Sequence, residues 1–322
     1  MNSNKINNQK TAKEKIFLFL KIVIGAGLLA YLVFRLNAAS LSEIIRQSDK
    51  LLFAVVLLIM PLNIIVQYLK WKIVCEGLLD YREKKNIFRS LMIGIGSGLV
   101  TPLQAGEYVM RAEPLKNQPV FKVAAATFID KLFPLFFVIL SGAAAFGVYL
   151  VYYQNVSVFL AAFIYFLIFA LILFVFFLLK KSKDTAKGIV RKVLNLKRLQ
   201  NLKEKLAFLQ NARKPFIFKL SFVSVLFVLI YIVQFVILLS AFTHEFELGK
   251  YFLFAFLLMF GKTVVPPFTF GEIGIRESIA VFIAGLLGVS ESAGFNAAFF
   301  LFLVNVVLPS VVSLFFLFGR NE

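Results

Sequence analysis

The sequence predicts an all-α polytopic membrane protein, with about six full transmembrane spans plus two re-entrant helical hairpins in an inverted-topology repeat. Three observations carry that expectation. Of 322 residues, 60% are hydrophobic, 40 are Phe and only 16% are charged, whereas a soluble domain is nearer a quarter charged. The basic residues behind a formal charge of +18 gather between the apolar runs. One polar string, PxxxGExxxR, occurs twice, in TPLQAGEYVMR at 101–111 and in PPFTFGEIGIR at 266–276.

Apolar runs at 16–35, 51–69, 119–150, 156–179, 215–241 and 296–318 each reach the ~20 residues needed to cross about 30 Å of hydrocarbon. The stretches 88–118 and 250–288 are instead broken in the middle by the repeated string. Their halves, at roughly 12 to 17 residues, are too short to span. The first run has a basic flank like a signal peptide, but its length reads as a retained anchor.

Lys10, Lys13 and Lys15 precede the first span, Lys70, Lys72 and Lys84 follow the second, and the densest basic block runs from 180 to 219. Lys/Arg excess marks cytoplasmic loops and attracts anionic headgroups, so topology accounts for the charge and nucleic acid is not expected as a partner. Placing both termini in the cytoplasm satisfies this rule only if 88–118 and 250–288 each return to the side they came from. The two hairpins then enter from opposite faces. The expected organisation is one membrane domain, 1–322, in the cell inner (cytoplasmic) membrane. Its first repeat is 51–150 with hairpin 88–118, its basic cytoplasmic loop is 180–214, and its second repeat is 215–318 with hairpin 250–288.

Pro102 and Pro267 stop a helix, and Gly106 and Gly271 allow backbone angles that other residues resist, so these four mark the hairpin tips. A helix restarting at Glu107 and at Glu272 would aim unpaired N–H groups at the membrane interior, where they attract phosphate. Arg111 and Arg276 follow four residues later on the same helical face. They either neutralise their glutamates or grip a lipid phosphodiester with the guanidinium fork. Asp130 and Lys131 lie near the midplane of their span, with Glu107, Glu272 or a substrate phosphate as candidate partners of the lysine. Gln67, Gln234 and Asn305 read as helix-to-helix hydrogen-bonding groups, and His244 as a solvated loop residue. Cys75 is the single cysteine, which excludes an internal disulfide and a multi-cysteine metal site. No cofactor, metal site or catalytic residue is expected.

VTPLQAGEYVMRAEPL at 100–115 and VVPPFTFGEIGIRESIAVF at 264–282 resemble the transmembrane region of lysylphosphatidylglycerol synthase and its stand-alone, flippase-like relatives. In that family the second string is usually closer to PxxxGGxGxRE; here Glu272 replaces one glycine, and Arg276-Glu277 keeps the final pair. The resemblance implies lipid handling. Because the chain ends at Glu322 just after the last apolar run, lysine transfer by a soluble domain is not expected.

The expectation is therefore a flippase or lipid transporter that binds the phosphate headgroup of an anionic or aminoacylated phospholipid, or of a lipid-linked intermediate, near the midplane. Arg111, Arg276, Glu107, Glu272, Lys131, Asp130 and Glu277 are its candidate substrate-binding residues. The alternative is an integral-membrane enzyme acting on a phospholipid or polyprenyl phosphate, although HExxH and nucleophile-elbow motifs are absent. A third reading is a scaffold for a separate synthase. Membrane lipids are the expected partners, and a homo-oligomer is left open. The topology is checked by a cysteine at position 196: thiol labelling is expected from the cytoplasmic side alone, and labelling from outside refutes the threading.

Overall fold

The computed structural model describes residues 44–46, 48–99, 101–160, 162, 165, 214–265 and 274–318. The expected first span, most of 156–179 and the basic loop lie outside these residues. No strand occurs among them. Four helical stretches there are long and apolar enough to cross a membrane: Lys50–Leu78, Val120–Tyr153, Lys214–Thr243 and Glu291–Ser313. Outward-facing side chains such as Leu58 (77% exposed) and Phe218 (74%) fit a surface of lipid tails, which are as apolar as they are.

Helix α1, Lys50–Leu78, starts at Asp49, whose carboxylate accepts from the amides of Leu51 and Leu52 at 2.9 and 3.1 Å. The apolar run behind it ends at 69, but the helix continues to Leu78. Asn63, Val66, Lys70, Trp71, Val74 and Leu78 form a buried face at three- and four-residue spacing, and that face carries the helix on. Lys70, expected in the cytoplasmic segment, is consequently inside α1 and 5% exposed.

After α2, Lys84–Leu99, a 3₁₀ turn at Pro102–Gln104 leads to the short α3, Ala105–Met110. The chain then folds back. Ser90 Oγ donates to the Arg111 carbonyl at 2.6 Å, and Gln118 Nε2 donates to the Leu79 carbonyl at 3.0 Å. Segment 84–118 thus begins and ends at the same end of α1, and α4, Val120–Tyr153, departs from there. In the second half come α5, Lys214–Thr243; α6, Leu248–Val264; and α7, Ile275–Leu287. Helix α7 returns along α6, with Gly261 against Ile279. Pro267, Gly271 and Glu272 lie outside the described residues. Helix α8, Glu291–Phe302, passes through a π-helical segment, Leu303–Val307, into α9, Leu308–Phe318.

The ends of α1 at Leu78 and of α5 at Thr243 lie at the same interval that separates the two polar strings. The counterpart helices α1 and α5 run antiparallel. Asp49 N donates to the Ala241 carbonyl at one end, and Gly77 faces the Phe216 ring at the other. Packing is reciprocal as well, with α2 on α9 and α6 on α4. Gly96 meets Ser313 in the first of these pairs, and Gly142 meets Phe260 in the second. The larger apolar core gathers Phe235, Phe254, Leu258, Ala284 and Phe300; a smaller one holds Trp71, Leu91, Leu115 and Leu220 beside the first hairpin.

Two expectations about the tips need correction. The restarted helices begin at Ala105 and Ile275, not at Glu107 and Glu272. The left-handed backbone of the first tip is carried by Leu103 (φ 55°) and Gln104 (φ 54°) rather than by Gly106. Gly106 is needed for a close approach instead, since a Cβ there would lie 2.5 Å from the Ser97 carbonyl oxygen. Thr101 Oγ1 completes the junction, accepting from Gly106 N and donating to Ser97 O, both at 2.8 Å.

Gly106→Ala is therefore expected to destabilise the protein by roughly 1–3 kcal/mol, because backbone must shift, read as a lowered midpoint of thermal unfolding. Gly249→Ala, where a Cβ meets nothing within 4 Å, is expected to leave the midpoint unchanged.

Candidate functional site

The folded-back first hairpin brings five ionisable side chains from three elements into one buried cluster. Arg111, 2% exposed, donates through Nη2 to Glu107 Oε1 at 2.5 Å and through Nη1 to Asp130 Oδ2 at 3.0 Å. Its guanidinium lies over the Trp71 ring, 4.3 Å from the centroid. Trp71 is held in turn, its Nε1 donating to Ser90 Oγ at 3.2 Å. Lys70 Nζ sits 3.2 Å from Asp130 Oδ1 and donates to the Asp130 carbonyl at 3.0 Å, with the Phe227 ring below it. Lys131 Nζ reaches Glu107 Oε2 at 2.6 Å and Gln104 Oε1 at 2.5 Å.

Local geometry explains the arrangement. Glu107 and Arg111 are one helical turn apart, so their side chains meet. Asp130 and Lys131 are neighbours on α4 and point about 100° apart, one toward α1 and Arg111, the other toward the hairpin tip. The strained backbone of Gln104, costing roughly 1–2 kcal/mol for a non-glycine residue, coincides with the position whose amide oxygen takes the Lys131 ammonium. Strain at such a point commonly marks a functional site.

This cluster forms one wall of a cavity of about 300 Å³. Arg276, Lys262, Thr263 and Asn305 from the second half face it, and Leu135, Val138, Phe227, Tyr231 and Met259 supply an apolar side. Arg276 lies over the Phe302 ring at 5.1 Å, repeating in the second half the placement of Arg111 over Trp71. Among the described residues, five basic side chains (Lys70, Arg111, Lys131, Lys262, Arg276) and two acidic ones, Glu107 and Asp130, line the cavity. Among the described residues, no group of His, Cys, Asp and Glu has the makings of a metal site.

Of the candidate binding residues, Arg111, Arg276, Glu107, Lys131 and Asp130 thus meet at one cavity. Glu277 departs from the group: its Oε2 accepts from Gly274 N at 2.7 Å, so it caps α7. At the expected phosphate cradles, the Gly274 amide that opens α7 is met by its own helix's carboxylate, and in α3, six residues long with Glu107 in its first turn, Thr101 Oγ1 takes the Gly106 amide.

Sequence reasoning missed Lys70, Trp71 and Lys262. Lys70 carried a signal, since it follows Asn63 and Gln67 along one helical face. Asn305 and Gln234 do link helices as expected, with Asn63 Nδ2 donating to Asn305 Oδ1 at 2.6 Å and Gln234 Nε2 to the Val56 carbonyl at 3.3 Å, whereas Gln67 Nε2 donates to Asn63 Oδ1 at 3.1 Å within α1 itself. Cys75 is buried and free, and His244 is exposed.

Asp130 is the counter-ion of two buried cations. Asp130→Ala is expected to cost roughly 3–5 kcal/mol, the usual penalty for leaving buried charge uncompensated. Lys70→Met is expected to cost less, because Asp130 keeps Arg111. Paired unfolding curves check the order of the two variants.

The family model for the lysylphosphatidylglycerol synthase TM region matches residues 18–313. No curated protein matches the chain, and no solved structure does. The match covers nearly the whole length, the apolar helices agree with it, and it ties the molecule to membrane-lipid function. The chain belongs to the lysylphosphatidylglycerol synthase transmembrane-region family and is an integral, multi-pass membrane protein.

Proposed function

We propose that the protein is a lipid transporter of the flippase type in the cell inner (cytoplasmic) membrane, and that its cavity receives the phosphate-bearing headgroup of an anionic phospholipid or lipid-linked intermediate. An aminoacylated phospholipid would offer its phosphate to the same groups. One observation carries the reading: among the described residues, five basic and two acidic side chains line a cavity that also has an apolar side. An excess of cationic side chains inside a membrane calls for an anion. An apolar side adjoining them suits the start of acyl chains, so the ligand best matched is an amphiphile with a negative head.

On this reading the chain forms six spans, with 84–118 and 248–287 as hairpins that enter from opposite faces. The antiparallel course of α1 and α5, whose ends at Leu78 and Thr243 lie at the interval that separates the two polar strings, supports it. Inverted halves of this kind move by rocking against each other around a site at their interface. Such a rocking would present the headgroup first to one leaflet and then to the other, while the acyl chains stay in lipid. Arg111 would keep the first hairpin rigid through Glu107 and Asp130, and Arg276 would meet the phosphate from the second half.

The purified protein in liposomes is expected to move a fluorescent-headgroup anionic phospholipid between leaflets, followed by quenching of the outer leaflet. Arg276→Ala is expected to slow that movement about tenfold or more, as loss of a charge-assisted contact implies, while the protein still folds. An unaltered rate in a folded variant refutes the site. Mass spectrometry of the same lipids is expected to show unchanged chemistry; an altered lipid would favour an enzyme.

A further inference from the structure

Asn305, Asn63 and Gln67 form a chain of amides whose direction is fixed at one end. Asn305, inside the π-helical segment Leu303–Val307, donates through Nδ2 to the Leu301 carbonyl at 3.2 Å. A carbonyl can only accept, so the Asn305 nitrogen must face it and the Asn305 oxygen is the atom left to meet α1. There Asn63 Nδ2 donates to that oxygen at 2.6 Å. Gln67, one turn farther along α1, donates in the same sense through Nε2 to Asn63 Oδ1 at 3.1 Å. Each amide is oriented by the one before it, and the last oxygen, Gln67 Oε1, is left over. No group among the described residues donates to it. Asn63 and Asn305 are 1% and 3% exposed, whereas Gln67 is half-buried and lines the cavity. The chain thus ends at the cavity wall on a hydrogen-bond acceptor, and it starts in a π-helical turn, an irregularity that recurs at functional sites.

We propose that Gln67 Oε1 is a specificity-determining contact of the cavity, accepting a hydrogen bond from an uncharged hydroxyl of the lipid headgroup, with Asn63 and Asn305 positioning it. This rests on the transporter reading above and adds a second recognised feature beside the phosphate. Lys70 follows Gln67 by three residues, hence on the same face of α1, and lines the same cavity. A headgroup ammonium at Gln67 would meet that like charge, and a headgroup ending in carbon would leave the acceptor unserved. A hydroxyl meets neither objection. Nor can the Gln67 amide turn over to suit another headgroup at no cost, because Asn63 Oδ1, buried, would lose its donor. The class selected is therefore a hydroxyl-bearing headgroup, a polyol or a sugar, carried on a phosphodiester. The apolar side at Leu135, Val138 and Met259 favours a lipid over a soluble polyol phosphate.

The test is native mass spectrometry of the full chain released from phosphatidylcholine nanodiscs doped with dioleoyl phosphatidylglycerol or dioleoyl phosphatidylpropanol. The two share acyl chains, diester and charge, and differ only in the headgroup hydroxyls. Phosphatidylglycerol is expected to be retained about fivefold better, the effect of one neutral hydrogen bond. Gln67→Leu is expected to bring it down to the level of phosphatidylpropanol while leaving phosphatidylpropanol where it was, whereas a merely structural defect would lower both. Gln67→Glu keeps an acceptor oxygen at the same reach and is expected to keep the ratio; its loss there overturns the acceptor role, however Gln67→Leu folds. Asn63→Leu lets the Gln67 amide turn and is expected to narrow the ratio, and an unchanged ratio overturns the part given to the amide chain. Retention of dioleoyl phosphatidylethanolamine at the level of phosphatidylglycerol overturns the choice of hydroxyl over ammonium. Equal retention of phosphatidylglycerol and phosphatidylpropanol, both above phosphatidylcholine, overturns the hydroxyl selectivity while leaving the transporter reading in place. Retention of neither above phosphatidylcholine removes that reading too. Displacement of the lipid by glycerophosphoglycerol at matching concentration overturns the lipid assignment in favour of a soluble polyol phosphate.

Discussion

The structure depends on keeping Arg111 charged inside a membrane. An isolated guanidinium at that depth is costly, and an ion pair buried without excellent geometry does not recover its desolvation. Here the geometry is supplied from three directions. Glu107 comes from the hairpin itself, Asp130 from α4, and Trp71 from α1 offers its ring face. Each partner is secured by something else: Asp130 by Lys70, Trp71 by Ser90, and Ser90 by the Arg111 carbonyl. The loop closes on itself, and closing it requires that the chain fold back between Leu99 and Ala105. The turn at the tip, the close approach of Gly106 to Ser97 and the extension of α1 past its apolar run are all conditions for that one arginine.

The second half follows the same plan with different chemistry. The end of α5 at Thr243 follows that of α1 at Leu78 by the interval that separates Arg111 from Arg276, and the arginine of the second half also rests on an aromatic ring, Phe302. Yet the same interval carries Lys70 to Phe235 and Asp130 to Phe295, and both counterparts sit against other rings. Phe235 packs against Phe254 in the larger core, and Phe295 stacks on Phe299. The positions that hold the Lys70–Asp130 pair in the first half are therefore aromatic in the second. The cavity between them is accordingly asymmetric, with a dense ionic wall on one side and Lys262, Thr263, Arg276 and Asn305 across from it.

Much of this is legible in the sequence. Composition and the Lys/Arg distribution identify a multi-pass membrane protein, and the repeated string locates both hairpins and both arginines, because a polar motif in an apolar chain stands out. Boundaries are harder. Lys70 ends an apolar run and so resembles a loop residue; only its helical register with Asn63 and Gln67 reveals a buried face, and its partner, Asp130, belongs to a helix beyond the whole first hairpin. The start of the helix after the tip is displaced in a sequence reading because Gly106 suggests backbone freedom. Steric closeness to Ser97, a tertiary fact, is what demands it, and two non-glycine residues take the left-handed angles. Pro267, Gly271 and Glu272 lie outside the described residues, so the second tip stands on sequence alone.

Glu107 connects the part of the molecule that must stay still to the part that faces the cavity. Its Oε1 takes Arg111 and its Oε2 takes Lys131, so one carboxylate is shared by a fully enclosed cation and a partly open one. In a low-dielectric setting neighbouring charges are strongly felt. Any change in what Lys131 pairs with alters the charge balance on the carboxylate that Arg111 leans on. The glutamate of the repeated string thus neutralises its own arginine and also pairs with Lys131, a cation that lines the cavity. A lone Glu/Arg pair one helical turn apart could serve only the first purpose; Lys131, arriving from α4, is what gives this one the second.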